Sequence, residues 1–310
     1  MKIGLVTDSL DRLSLDTLLT TAAGLSLDCL EFGTGCWSGA PHLAIGELLG
    51  SEPLRRNFTA RIEEHGLEIS ALNCSGNPLH PGPSGEEHAR ITRWTIDLAA
   101  LLGVRRVVMM SGCPGGPGDL HPNWVTVAWP PETTRILEWQ WNESVLPYWR
   151  ELAPYARARG IDLCLELHGH QNVYNVETFF RLREAIGDVV GVNLDPSHLM
   201  WMGADPIAAV EALGEFIYHV HAKDTRTNPE LLPVNGLVQT RPAADHARRS
   251  WNYVTLGHGR QSAFWGEFCS ALSRSGYNDV LSIEHEDVDQ PPLDGVTESV
   301  ELLRSLIATT

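Results

Sequence analysis

Short apolar runs that end in a polar or charged residue alternate along the chain with longer stretches whose apolar positions fall three to four apart. The first pattern predicts buried strands, and the second predicts helices packed by one face. The expected strands are Lys2–Val6, Leu27–Glu31, Glu68–Leu72, Arg105–Met109, Asp162–Glu166, Val189–Leu194, Phe216–Val220 and Val280–Ile283. Helices are expected near 14–23, 51–65, 86–101, 143–159, 176–186, 206–213, 261–274 and 294–307. Eight strands, each followed by a helix, predict a single α/β domain over 1–310, a (β/α)8 TIM barrel with its chemistry on loops at the carboxyl ends of the strands. A doubly wound open sheet is the alternative, but no Gly-x-Gly-x-x-Gly follows the first strand, so the dinucleotide-binding signal is missing.

Two connections are long. After strand four, Ser111 to about Asn142 opens on Gly112-Cys113-Pro114-Gly115-Gly116-Pro117-Gly118 and holds Trp124, Trp129, Trp139 and Trp141. After strand seven, Thr225 to Gly259 holds Arg241, Arg248, Arg249, Trp251 and Gly257-His258-Gly259. Long loops in compact domains usually bind or cover a ligand, which makes Trp124 and His258 expected substrate contacts. The plainer reading is that the tryptophans cap an exposed barrel end or form a subunit interface.

Composition narrows the classes of partner. An apolar content of 43% over 310 residues supplies a core, while 39 acidic against 23 basic residues leave a net charge of −16. That excess repels phosphate backbones, so neither nucleic acid nor an anionic membrane is an expected partner. No window approaches the roughly 18 apolar residues of a membrane span. The start, Met1 to Asp8, turns acidic too soon for a secretory segment, and the expected location is cytoplasmic. Six scattered cysteines with no Cys-x-x-Cys pair read as reduced thiols. Only two lysines, Lys2 and Lys223, stand against 21 arginines, which singles Lys223 out.

The ends of strands five to eight carry the chemistry. They read Leu165-Glu166-Leu167-His168, Asn193-Leu194-Asp195-Pro196-Ser197-His198, His219-Val220-His221-Ala222-Lys223-Asp224 and Ser282-Ile283-Glu284-His285-Glu286-Asp287. Neighbouring barrel strands would bring Glu166, Asp195, His221 and Glu284 to one point. Three carboxylates and an imidazole suit a divalent ion, Mn²⁺ before Mg²⁺, Co²⁺ or Zn²⁺. His168 and Lys223 each stand two residues beyond a ligand and so on the same side of the strand. Both are expected catalytic groups, Lys223 holding an oxyanion or giving a proton unless it merely pairs with Asp224 or Glu286. His170, His219 and His285 are weaker candidates, as orienting or packing residues.

These strand ends resemble the xylose-isomerase-like TIM-barrel superfamily of sugar isomerases, epimerases and inosose dehydratases. The resemblance covers the whole chain and is most specific from about 160 to 287. It implies that Glu166 and Glu284 bind the metal and act as the acid/base pair, that Asp195 and His221 are pure ligands, and that His198 polarises substrate, with Arg226 a candidate substrate-binding arginine. It also implies a metal-dependent isomerase or epimerase working through an enediolate on a sugar or keto-sugar. An alternative within the superfamily is a lyase that eliminates an aglycone or water from a 3-keto-glycoside or inosose, as in catalytic subunits of C-glycoside deglycosidases, which work with a small partner subunit; another is a non-catalytic sugar-binding barrel. A homo-oligomer is the other expected assembly. An apurinic-site endonuclease of the superfamily needs histidines on strands two to four, but those ends read Glu31-Phe32-Gly33, Asn73-Cys74-Ser75 and Met110-Ser111-Gly112.

Overall fold

The structure is a computed structural model that describes residues 1–307. Ten strands form among the described residues: β1 Lys2–Val6, β2 Cys29–Gly33, β3 Glu68–Asn73, β4 Arg106–Met109, β5 Asp162–Glu166, β6 Val190–Leu194, β7 Ile217–Ala222, β8 Asp224–Thr227, β9 Trp251–Val254 and β10 Val280–Ile283. Eight of them close a parallel barrel in the order β1-β10-β7-β6-β5-β4-β3-β2, while β8 and β9 form a separate antiparallel pair. All eight predicted barrel strands are present, with ends shifted by two residues or fewer. Strands of a parallel barrel are covered on both faces and read as continuous apolar runs. Accordingly β2 and β6 are buried at every position. The polar residues interrupting such runs, Glu31, Asn193, His219, His221 and Ser282, are all fully buried.

Local signals set the helix starts. Ser14 accepts a hydrogen bond from the Thr17 amide at the head of Leu15–Gly24, and Asn175 with Thr178 makes a capping box on Val176–Ile186, each satisfying amides the helix leaves open. Asp195 caps a helix the pattern did not predict, Pro196–Met202, with proline in its first turn. A second unpredicted helix is Ile45–Gly50. The two long connections are also more ordered than loops. The first contains the helix Pro131–Trp139, which runs through a π-helical turn at Gln140–Val145 into Leu146–Arg157. The second contains the antiparallel pair β8 and β9, from Asp224 with Val254 to Thr227 with Trp251, with short helical turns at Leu232–Asn235 and Ala243–Arg248 between them. Among the described residues no helix is long and apolar enough to cross a membrane.

Packing divides the chain into two compact units. One holds Met1–Glu31, Ile62–Ser70 and Leu194 to the end of the described residues. In it β1 pairs with β10, and β10 with β7, in register Leu281 to Val220 and Ser282 to His221. Its core is built on Leu5, Leu18, Leu19, Val220, Trp265 and Phe268, all almost wholly buried. The other unit holds Phe32–Arg61 and Ala71–Asn193. There β4 pairs with β5 over Arg106–Met109, around Val107, Leu163, Trp149 and Phe179.

Candidate active site

On β7 the side chains at 219 and 221 project to one side by strand alternation, and 223 follows the same period just beyond. His219 and His221 are fully buried and Lys223 nearly so. In β10, Ser282 sits opposite His221, which brings Glu284 level with Lys223. The Lys223 ammonium lies 3.1 Å from Glu284 Oε2 and 2.8 Å from Glu286 Oε2. It also stands 4.3 Å from the centre of the Tyr253 ring. Burial favours a neutral lysine, but Glu284, Glu286 and Asp195 together hold Lys223 charged, its pKa well above the ordinary lysine value. Burial also opposes ionisation of Glu284, yet Lys223 and His221 keep that carboxyl well below the usual carboxylate range.

One ligand atom each from Asp195, His221 and Glu284 lie within 4.8 Å of one another. His221 Nδ1 is 3.2 Å from Glu284 Oε2. Asp195 accepts a hydrogen bond from the Ser197 amide through Oδ1, and its Oδ2 lies 3.2 Å from His198 Nε2. Two buried oxygens of this set, Asp195 Oδ2 and Glu284 Oε2, lack a well-formed hydrogen bond, although cationic or imidazole nitrogens stand at ion-pair distance. Crowded carboxylate oxygens with spare lone pairs and an imidazole fit a hard divalent ion. Glu166, at the end of β5, is buried and accepts a 3.4 Å hydrogen bond from Asn193 Nδ2. His168 donates from Nδ1 to the Gly169 carbonyl at 2.5 Å and offers a ligand atom within 4.8 Å of one on Glu166.

His198 is held in one tautomer. Its Nε2 faces a carboxylate oxygen of Asp195, which can only accept, so Nε2 carries the proton and Nδ1 accepts. The donors at Nδ1 are the Tyr253 hydroxyl at 2.9 Å and Trp201 Nε1 at 3.4 Å. Trp201 in turn stacks on Trp251, ring centres 4.9 Å apart. Tyr253 therefore orients a predicted site residue from the long connection after β7, a role the sequence did not reveal because Tyr253 carries no motif.

Asp224 directs its carboxylate away from Lys223. It accepts hydrogen bonds from the amides of Thr225, Gly257, Gly259 and Arg260 at 2.7 to 3.1 Å, and Trp265 Nε1 adds a longer one at 3.3 Å. The loop that contains His258 is thus clamped to the end of β7. Gly259 is required at the clamp, because a Cβ there would lie 2.4 Å from the Thr225 carbonyl oxygen.

The other expected contacts make pairings of their own. His258 pairs with Glu298 at 2.9 Å, both side chains more than 40% exposed. Arg226 is half exposed and faces Asp289 at 3.8 Å. Both are drawn toward surface acids. Trp124 packs on His170 and Tyr174, with ring centres 5.0 and 5.4 Å apart, and lines a cavity of about 180 Å³ with Trp141, Gln171, Asn172 and Arg181. Trp129 is 76% exposed, so the tryptophans of this connection do not form one platform. His285 is buried against Gly295, where an added Cβ would lie 2.1 Å from its ring, and so acts in packing. No disulfide joins any of the six cysteines. Burial pushes the thiols of Cys29, Cys74 and Cys113 up to about 12, which leaves them protonated and poorly nucleophilic.

The acid sequence reasoning passed over is Glu31. Fully buried on β2, it lies 2.7 Å from His219 Nε2 and 3.0 Å from His221 Nε2. A signal was available: Leu30-Glu31 closes an apolar run just as Leu165-Glu166 and Ile283-Glu284 do.

A family model described as Xylose isomerase-like TIM barrel matches residues 21–306. The chain belongs to that family. The Bacillus subtilis (strain 168) protein YfiH, itself described as uncharacterized, is 49% identical over 312 residues, which cover 99% of this chain and 100% of the relative. Solved structures share the fold at lower identity. IOLI, solved with a bound zinc atom, is 19% identical with a TM-score of 0.68, covering 100% of this chain and 99% of that one. The probable 3-DHS dehydratase AsbF of Bacillus anthracis is 16% identical with a TM-score of 0.67, over 98% and 99% of the two chains. An L-ribulose 3-epimerase is 19% identical with a TM-score of 0.66, over 99% and 95%. Epimerases and a dehydratase thus stand among the structural neighbours of this xylose isomerase-like barrel.

Proposed function

We propose that this xylose isomerase-like barrel is a divalent-metal-dependent isomerase or epimerase of a sugar or keto-sugar, which removes a proton from the carbon beside a carbonyl. The observation that carries the reading is the set of buried Asp195 and His221 with half-buried Glu284, and Lys223 held charged 3.1 Å from Glu284. Asp195, His221, Glu284 and Glu166 would hold the ion, with Mn²⁺ the first expectation from the donor set. A bound divalent ion supplies Lewis-acid stabilisation of negative charge on a carbonyl oxygen.

The remaining work falls to side chains. Glu284, kept ionised by Lys223 and His221, is suited to take the proton, and Glu166 to return one at the second position. Lys223, flanked by acids, stays an ammonium; it serves as a fixed positive charge for a developing oxyanion rather than as a base. His198, its ring set by Tyr253 and Trp201, is the group expected to polarise a substrate oxygen, its Nε2–H turning to that oxygen from Asp195 Oδ2 once the carboxylate holds the ion. His168, oriented by the Gly169 carbonyl, is placed in the sequence to handle a second proton.

Lys223 also favours a second reading. A buried ammonium beside the base suits departure of a leaving group, and elimination of water or an aglycone from an inosose or a 3-keto-glycoside would use the same groups. The deciding experiment is incubation of Mn²⁺-loaded protein in deuterated water with ketoses, inososes and 3-keto-glycosides. Deuterium entering a carbon without loss of a group supports isomerase or epimerase. Release of water or aglycone supports the lyase, and tight binding without exchange supports a sugar-binding barrel.

A further inference from the structure

We propose that Glu31 is a positioning residue for the candidate metal centre: its carboxylate, shared between His219 and His221, presents His221 to a divalent cation through Nδ1 and not through Nε2. The proposal rests on the reading of Asp195, His221 and Glu284 as cation ligands.

An imidazole has two nitrogens on different edges of the ring, and the hydrogen bond made by one decides which is left to bind a metal. His221 Nε2 lies 3.0 Å from Glu31 Oε1 and 3.2 Å from Oε2. Its Nδ1 faces the other way, 3.2 Å from Glu284 Oε2. An ionised carboxylate only accepts, so Nε2 must carry a proton directed at Glu31, which leaves Nδ1 to meet the cation. His219 fixes the carboxylate itself: its Nε2 donates to Glu31 Oε2 at 2.7 Å, so both carboxylate oxygens have an imidazole partner. Glu31, His219 and His221 are each fully buried, and no bulk water competes for these bonds.

The same three residues could be imagined as a second cation cage, since their ligand atoms lie within 4.8 Å of one another. The spacing argues against it. Ligand atoms about 2.1 Å from a tetrahedral metal stand roughly 3.4 Å apart. The pairs observed here, 2.7 and 3.0 Å, are hydrogen-bond lengths with a proton in between. Glu31 is therefore a hydrogen-bond acceptor behind the ligand.

The test uses full-length protein with ¹⁵N-labelled histidine and Zn²⁺, a diamagnetic probe, followed by long-range ¹H–¹⁵N correlation and by calorimetric titration. In the wild type, Zn²⁺ should bind with His221 ligated at Nδ1 and protonated at Nε2. Glu31→Gln offers one accepting oxygen to two donors. It should bind Zn²⁺ roughly 10 to 100-fold more weakly, and the Nε2–H signal of His221 should be lost or broadened while far-UV circular dichroism is unchanged. Ligation of wild-type His221 through Nε2 would overturn the proposal without any variant. Undiminished affinity and the same ligated nitrogen in Glu31→Gln would overturn it too, with the cation reading left standing. A wild type that binds no Zn²⁺, Mn²⁺ or Co²⁺ would remove the cation reading and the proposal together.

Discussion

The Tyr253 hydroxyl and His198 Nδ1 are 2.9 Å apart, a contact spanning 55 positions of sequence that fixes how His198 faces Asp195. Tyr253→Phe removes the shorter of two donors at Nδ1 and leaves Trp201 Nε1 at 3.4 Å. The hydroxyl also accepts from Trp201 Nε1 at 3.2 Å, so two largely buried hydrogen bonds are lost and stability should fall by about 2 kcal/mol. Because the hydroxyl acts on His198 and not on substrate, kcat should fall roughly tenfold with KM nearly constant. Steady-state kinetics on the substrate found by deuterium exchange, together with thermal unfolding, check both parts.

Lys223→Met leaves Glu284 and Glu286 without their shared cation. Removing one partner of a buried ion pair should cost about 3 kcal/mol at neutral pH. The pH dependence has a definite sign. In the wild type the Glu284 carboxyl is held well below the usual carboxylate range, so its contribution is complete above the unfolded carboxylate value. That contribution is lost only as pH falls through the lower folded value. The variant should therefore begin to unfold at higher pH on acidification. A wild-type acid-unfolding midpoint equal to that of the variant would refute the assignment.

Asp224 gathers four backbone amides, and Asn in its place presents an amide group that cannot accept from all of them. Asp224→Asn should cost on the order of 3 kcal/mol. Gly259→Ala should be at least as damaging, because the new methyl meets the Thr225 carbonyl at 2.4 Å and a backbone oxygen cannot turn aside. Denaturant unfolding of both variants checks the ranking, and greater local mobility of 256–260 in hydrogen exchange should accompany it.

Saturating Mn²⁺ should raise the thermal midpoint of the wild type, since a ligand at 100 times its Kd adds about 2.7 kcal/mol to the folded state. Asp195→Asn, isosteric but a poorer ligand, should lose most of that rise. Its stability in chelator should change less, because the cap on Ser197 uses Oδ1, which an amide oxygen can replace. Equal shifts in the two proteins would move the cation away from Asp195.

The barrel was legible because parallel strands covered on both faces leave uninterrupted apolar runs, and β6, buried throughout, is the clearest instance. The residues expected to ligate a cation were legible for the same reason: an acid or histidine at the end of such a run breaks the pattern. Glu31 gave that signal as well and was passed over because a histidine was sought at that strand end. For a different reason, the ion pairs of His258 and Arg226 were not legible. Their partners, Glu298 and Asp289, sit far along the chain, and no periodicity tells which acid will draw an exposed cation. Tyr253 was hidden because a strand pair sits in what reads as loop, and strand pairing alone brings it to His198.

In the ring of strands β1 and β10 stand between β2 and β7, so the bonds from Glu31 to His219 and His221 cross the barrel interior, over 188 and 190 positions of chain. A carboxylate stripped of water and given no partner is among the most unfavourable groups a folded interior can hold. Because β2, β1, β10 and β7 are consecutive neighbours in that ring, Glu31 finds its two imidazoles as soon as this arc of four strands has formed, and an arc that lacks β7 leaves the carboxylate either hydrated or unmatched.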